Sequence, residues 1–223
     1  MPEELIIFDC DGVLVDSEPL SLGLLIEHCA RHGLDLDMVQ ACDCFLGKPV
    51  AVASAEANAA YQASVPDVDL DVFQERILAK FQDELRPVAG VADALSMLDA
   101  PKCVASSSNL DRIKRSIELT GVSAFFSGHL FSTDMVARGK PHPDVFLHAA
   151  KEMGFEPRQA IVVEDSPAGL RAAKAAKMKT IAFAGGSHAQ AADLTSKLSA
   201  LAPDKLINNM ADLPRALSAL SAH

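Results

Sequence analysis

The stretch from Leu5 to Glu18, LIIFDCDGVLVDSE, constrains the rest of the chain more than any other. Leu5, Ile6, Ile7 and Phe8 form an unbroken apolar run, the pattern of a strand buried on both faces inside a parallel sheet. The run stops at Asp9. Asp9-Cys10-Asp11-Gly12 then puts two carboxylates, spaced i and i+2, at the carboxyl end of the strand, with Gly12 easing the turn. Carboxylates this close repel each other unless one takes a proton or a cation lies between them, and hard oxygen ligands of this kind suit Mg²⁺. Alone, the tetrapeptide fits an ordinary Asx-rich turn better than a site. The remaining chain has to discriminate.

At 223 residues, 49% of them hydrophobic, there is material for one large domain or two modest ones. The formal charge of -10 argues against nucleic acid or an anionic membrane as partner, so a phosphate-bearing ligand has to be held locally. The N-terminus lacks the pattern of a secretory leader and no apolar stretch is long enough to span a bilayer, so a cytoplasmic protein is expected. Cys10, Cys29, Cys42, Cys44 and Cys103 are odd in number and lack zinc-site spacing, and read as reduced core thiols.

Asp16 to His32 reads as a helix with Leu20, Gly23, Leu24 and Ile26 near helical spacing and Gly33 as C-cap. From there to Leu85 the patterns are helical, notably Ala51 to Ala63 and Leu70 to Leu85, joined by the polar link Ser64 to Asp69. Beyond Pro87 short apolar runs alternate with amphipathic stretches. Strands are expected at Lys102–Ala105, His129–Phe131, Ala160–Val163, Thr180–Ala184 and Lys205–Ile207. Helices are expected near Val91–Leu98, Leu110–Thr120, Pro143–Met153, Pro167–Ala176, Ala189–Leu201 and Leu213–Leu220. This alternation predicts an α/β fold, a doubly wound parallel sheet covered on both faces and carrying an inserted all-helical segment.

Ligands of such sheets bind beyond the carboxyl ends of the strands, so the residues directly after each apolar run carry the information. In chain order these are Asp9 and Asp11, then Ser106, Ser107, Ser108 and Asn109, then Lys140 in GKPHP, then Glu164 and Asp165. Converging at one edge, they could hold Mg²⁺ and a phosphate together. Each piece also has a plainer reading. SSSN fits a helix N-cap before Leu110, Lys140 fits a solvated loop, and EDSP fits an acidic helix start.

The four segments DCDGVLVDSE, VASS, GKPHPDVF and VVEDSPAG resemble, in order and placement, the motifs of the haloacid dehalogenase superfamily. The likeness covers nearly the whole chain and is nearest to the phosphatases and phosphomutases that include phosphoglycolate phosphatase and β-phosphoglucomutase. Its later half is also similar to bacterial sugar-phosphate phosphatases such as those acting on 6-phosphogluconate. The resemblance implies a catalytic core of residues 1–15 and 86–223 and a helical cap of residues 16–85.

It further implies that Asp9 is the nucleophile, forming an aspartyl-phosphate, and that Asp11 is general acid and then general base, for which a raised pKa is expected. Mg²⁺ would be held by Asp9, the Asp11 carbonyl and Asp165, with Glu164 nearby. Ser106 and the Ser107 amide would bind phosphoryl oxygens beside Asn109, and Lys140 would offset charge. In the cap, Gly47 and Lys48 fall where the family contacts substrate. Cys42, Cys44 and Phe45 would fill the cap core, and His188 reads as a loop residue rather than a ligand. The expected activity is Mg²⁺-dependent hydrolysis of a small phosphomonoester by a monomer or weak homodimer. The runner-up is a hexose-phosphate mutase, whose helpful cap histidine is replaced here by Ser21. A phospho-accepting receiver would need neither the helical insert nor an acid at position 11, and a dehalogenase would lack Asp11.

Overall fold

The computed structural model describes residues 4–46 and 50–221, so Gly47 and Lys48 lie outside the described residues. Strand β1 (Leu5–Phe8) is completely enclosed. Its side chains alternate between two apolar clusters, as a strand's period of two dictates. Leu5 and Ile7 pack with Val145, Phe146, Ala172 and Ala173 on one face of the sheet. Ile6 and Phe8 pack with Leu95, Ile113, Leu213 and Leu217 on the other.

The helical insert follows. It comprises α1 (Glu18–Arg31), α2 (Met38–Phe45), α3 (Val50–Tyr61) and α4 (Leu70–Glu84). Helix α2 lies in a region read only as generally helical, and a capping box between Asp37 and Gln40 starts it. In α1 the buried residues are Leu22, Leu24, Leu25 and Cys29 rather than the expected Leu20, Gly23, Leu24 and Ile26. The reason is that α1 faces two ways. Leu22, Leu25 and Cys29 join the cluster containing Cys42, Cys44 and Phe45, while Leu24 joins Ile77, Phe81 and Ile113. The chain leaves and re-enters side by side: Asp16 N donates to Arg86 O at 2.9 Å and Val88 N to Leu14 O at 3.0 Å.

From there strand and helix alternate: α5 (Val91–Ser96), β2 (Lys102–Ser106), α6 (Leu110–Leu119), β3 (Leu130–Ser132), α7 (Asp144–Glu152), β4 (Ala160–Glu164), α8 (Pro167–Ala175), β5 (Lys179–Phe183), α9 (Leu194–Ser199), β6 (Lys205–Ile207) and α10 (Leu213–Ser221). All pairings are parallel, in the order β3-β2-β1-β4-β5-β6. Helix α9 is shorter than expected. Residues 189–193 are turns, and Asp193, at φ 49°, is in a left-handed conformation that a helix cannot pass through. Five buried, unbridged cysteines match the reading of core thiols. Among the described residues no helix is long and apolar enough to cross a membrane.

The strand order reverses between β1 and β4, because the chain winds outward through β2 and β3 before returning to the other side of β1. That switch point is where such sheets open a crevice. Ile7→Ala is expected to cost about 2–5 kcal/mol, the range for emptying a core position. Leu147→Ala, on the exposed side of α7, should cost less than about 0.5 kcal/mol. Urea denaturation of the two variants checks the difference, and equal small losses would contradict the two-faced burial of β1.

Candidate active site

The switch point brings the ends of β1 and β4 together: Phe8 pairs with Val163, and Asp9 N donates to Val163 O at 3.0 Å. Asp9, Glu164 and Asp165 therefore converge, each nearly inaccessible, with an oxygen from each within 4.8 Å of the others. Lys140 is inserted among them. Its Nζ donates to Asp9 Oδ1 and Glu164 Oε1, each at 2.6 Å, and to Ala105 O at 3.1 Å, so all three of its protons are used. Burial alone would lower the lysine pKa, but the charges of Asp9 and Glu164 raise it. Lys140 is a fixed cation, and the solvated-loop reading of its segment does not hold for its side chain.

Glu164 is clamped on its other oxygen by Ser166, whose N and Oγ donate to Oε2 at 2.7 and 2.9 Å. Its seat exists because Gly169 has no side chain, since a Cβ there would stand 1.8 Å from Oε1. Gly12 makes the corresponding space for Asp165, with a Cβ position 1.8 Å from Oδ2 and a φ of +78° that favours glycine in any case.

One lysine among three buried carboxylates leaves negative charge uncompensated. Burial pushes Asp9 up to about 8, with Lys140 opposing and Glu164 and Asp11 adding to the rise. Asp165 is pushed well above the usual carboxylate range by burial and then by Glu164 and Asp9. A small set of hard oxygens short of positive charge fits a divalent cation such as Mg²⁺. Asp9 and Asp165 are the residues that would hold it, because both Glu164 oxygens are already engaged.

Asp11 departs from expectation. Its Oδ1 accepts from Ser17 Oγ at 2.6 Å and from Arg112 Nη2 at 2.9 Å, and its Oδ2 accepts from Ser108 Oγ at 2.7 Å. Burial would raise its pKa, but the charge of Arg112 and these hydrogen bonds outweigh that and hold it below the ordinary value. The expected raised pKa is thus reversed. With its carboxylate committed, Asp11 could reach a metal only through its backbone carbonyl.

The loop after β2 is pinned from the neighbouring strand end: Ser132 Oγ donates to Ser108 O at 2.8 Å and Thr133 Oγ1 to Ser107 O at 3.1 Å. Ser106 is buried and its Oγ accepts from Ser108 N at 3.1 Å. Asn109 caps α6, accepting from Arg112 N at 2.8 Å, so its side-chain oxygen serves the helix. His188 does lie in a turn, but it is buried, with Nε2 3.6 Å from Asp165 Oδ2 and neither ring nitrogen hydrogen-bonded. Burial lowers its pKa and keeps it neutral.

Sequence reasoning missed Arg112, Ser17 and Glu18. Arg112 could have been found from its place in the first turn of α6, three residues after the cap. Glu18, lining the same cleft, is pushed up to about 7 by burial and the nearby Asp11 charge, with Arg112 opposing. The cleft measures about 680 Å³ and is floored by Asp9, Ser106, Lys140 and Asp165 and walled by Leu22, Phe45, Phe73 and Gln74 of the insert. That volume suits a small metabolite.

Residues 3–177 match the family described as haloacid dehalogenase-like hydrolase, and the chain belongs to that family. It is 28% identical over 186 residues to the 6-phosphogluconate phosphatase of Escherichia coli K12, covering 83% of this chain and 84% of that one. A fructose-1-phosphate phosphatase of the same bacterium is 30% identical over 184 residues, covering 79% of this chain and 94% of that one. Among solved structures, a haloacid dehalogenase-like protein of unknown function from Agrobacterium tumefaciens superposes with a TM-score of 0.88 at 33% identity, covering 98% and 99% of the two chains.

Millimolar Mg²⁺ should raise the melting temperature of the purified protein, because a cation binding only the folded site stabilises by about 2.7 kcal/mol at a hundred times its Kd. The rise should shrink in Asp165→Asn, which removes one charge from the cluster. Differential scanning calorimetry with and without EDTA checks this, and identical melting under both conditions would contradict a cation site.

Proposed function

We propose that this chain hydrolyses a small phosphomonoester, of the sugar-phosphate class, through a phosphoryl group carried on Asp9 and with Mg²⁺ as cofactor. The observation that carries the reading is Lys140 held 2.6 Å from both Asp9 and Glu164 at the floor of the cleft. It fixes the Asp9 carboxylate in place at the floor of the cleft. The named substrates of the two bacterial relatives support the sugar-phosphate class.

Asp9 attacks phosphorus, and the ester oxygen departs with a proton from Asp11. Water then attacks the aspartyl-phosphate, giving its proton to Asp11 and releasing inorganic phosphate and free Asp9. Bound Mg²⁺ supplies the positive charge that lets a phosphate dianion approach this acidic floor. Ser106 and the amide of Ser107 hold the phosphoryl oxygens, and Lys140 balances the charge on Asp9. Asp11 is ionised in the arrangement described, so before it can protonate the leaving oxygen it has to give up its bonds to Ser17, Ser108 and Arg112 and take up a proton from solvent; the proton it later receives from the attacking water restores that form for the next cycle. Residues 16–85 act as the cap that shapes the cleft. Ser21, at the place of the mutase histidine, cannot relay a proton near neutral pH, which favours water over a second sugar as acceptor.

Phosphate release from a panel of sugar phosphates should require Mg²⁺ and stop in excess EDTA. Undiminished release after exhaustive chelation would overturn the metal's role. Asp11→Asn should lose roughly 10²–10⁴-fold on alkyl phosphates and much less on p-nitrophenyl phosphate, whose leaving group needs little protonation. Equal losses on both, measured as kcat/KM, would remove Asp11 as the acid.

A further inference from the structure

Two buried side-chain donors in the cleft have no hydrogen-bond partner: Nε of Arg112 and the amide nitrogen of Gln74. Buried N–H groups left unpaired are costly, so their presence in a ligand cleft points to acceptor oxygens that arrive with the ligand. The charges narrow the choice. Lys140 is wholly occupied by Asp9, Glu164 and Ala105. Among the described residues lining the cleft, Arg112 is the only other cation.

Its guanidinium is held face-on by Phe81, with Cζ 5.2 Å from the ring centre, and by one end only: Nη2 reaches Asp11 Oδ1 at 2.9 Å and Ser21 Oγ at 3.5 Å. A guanidinium fork matches a two-oxygen anion, and here its Nε–H has no partner. Resting on the phosphatase reading, we propose that Arg112 is the specificity-determining residue of the cleft, binding a second anionic group on the substrate. The substrate class is then a phosphomonoester of a sugar acid, or a bisphosphate. Gln74, from the insert, is a further unpaired donor lining the same cleft.

The test is a ratio. Matched pairs that differ only at the far end are compared by kcat/KM with Mg²⁺: 6-phosphogluconate against glucitol 6-phosphate, 3-phosphoglycerate against glycerol 3-phosphate, and fructose 1,6-bisphosphate against fructose 6-phosphate. The wild-type protein should favour the anionic member of at least one pair by about tenfold to a hundredfold, the worth of hydrogen bonds to a charged group. A preference confined to the acids identifies a carboxylate, and one confined to the bisphosphate a second phosphate. Arg112→Gln should collapse that preference towards one, and Arg112→Lys should keep part of it. Any effect of these variants through Asp11 falls on both members and cancels. No wild-type preference, or a preference unchanged in Arg112→Gln, would overturn the proposal while leaving the phosphatase reading intact. Phosphate release from no compound would count against the phosphatase reading instead. Calorimetric titration of the same pairs, with and without Arg112, would then decide the anion site alone: equal binding overturns it.

Discussion

Lys140 stands between two buried carboxylates with every proton in use, and the rest of the site depends on that placement. An ion pair out of water is not a cheap source of stability, because desolvation cancels much of the attraction. Removing one partner is far worse, since it strands the other charge. The lysine therefore fixes Asp9 in one rotamer and ties the ends of β1 and β4 to the loop after β3. It does so while leaving the cluster short of positive charge, which is the condition a cation and a phosphate together can satisfy.

The fold supplies this placement through topology. Reversal of the strand order between β1 and β4 sets Asp9 beside Glu164 and Asp165, and two glycines then make room for the carboxylates. Gly12 accepts Asp165 and Gly169 accepts Glu164, each at a distance where a methyl group would collide. The insert walls one side of the cleft, and its apolar residues run into the core clusters, with Ile77 and Phe81 beside Ile113 and Leu22 in the cluster of Ala184. Among the described residues its polar contribution to the cleft is Glu18, Ser21, Asp71 and Gln74.

What could be read from sequence was what local patterns encode. The run Leu5–Phe8, the residues after each strand and the Ser166-Pro167 helix start depend on neighbours within a few positions, and all stand where expected. What was hidden depends on partners far apart in the chain. Asp11 and Arg112 are separated by 101 positions, and the pairing that lowers the Asp11 pKa has no local signature. The stripe on α1 was misplaced because that helix packs on two clusters at once, which blurs a single period. Helix α9 is shorter than its sequence pattern suggests: the alanine-rich stretch before it favours helix, whereas Asp193 stands in a left-handed conformation that interrupts it.

The central claim is that Asp9 carries the phosphoryl group. Rapid quenching in acid of the enzyme mixed with Mg²⁺ and a labelled phosphoester that it turns over, followed by borohydride reduction and peptide mapping, tests it directly. The account predicts label in the quenched protein and a reduced residue at position 9, both absent from Asp9→Asn. Label on any other residue, or a labelled Asp9→Asn protein, would contradict it.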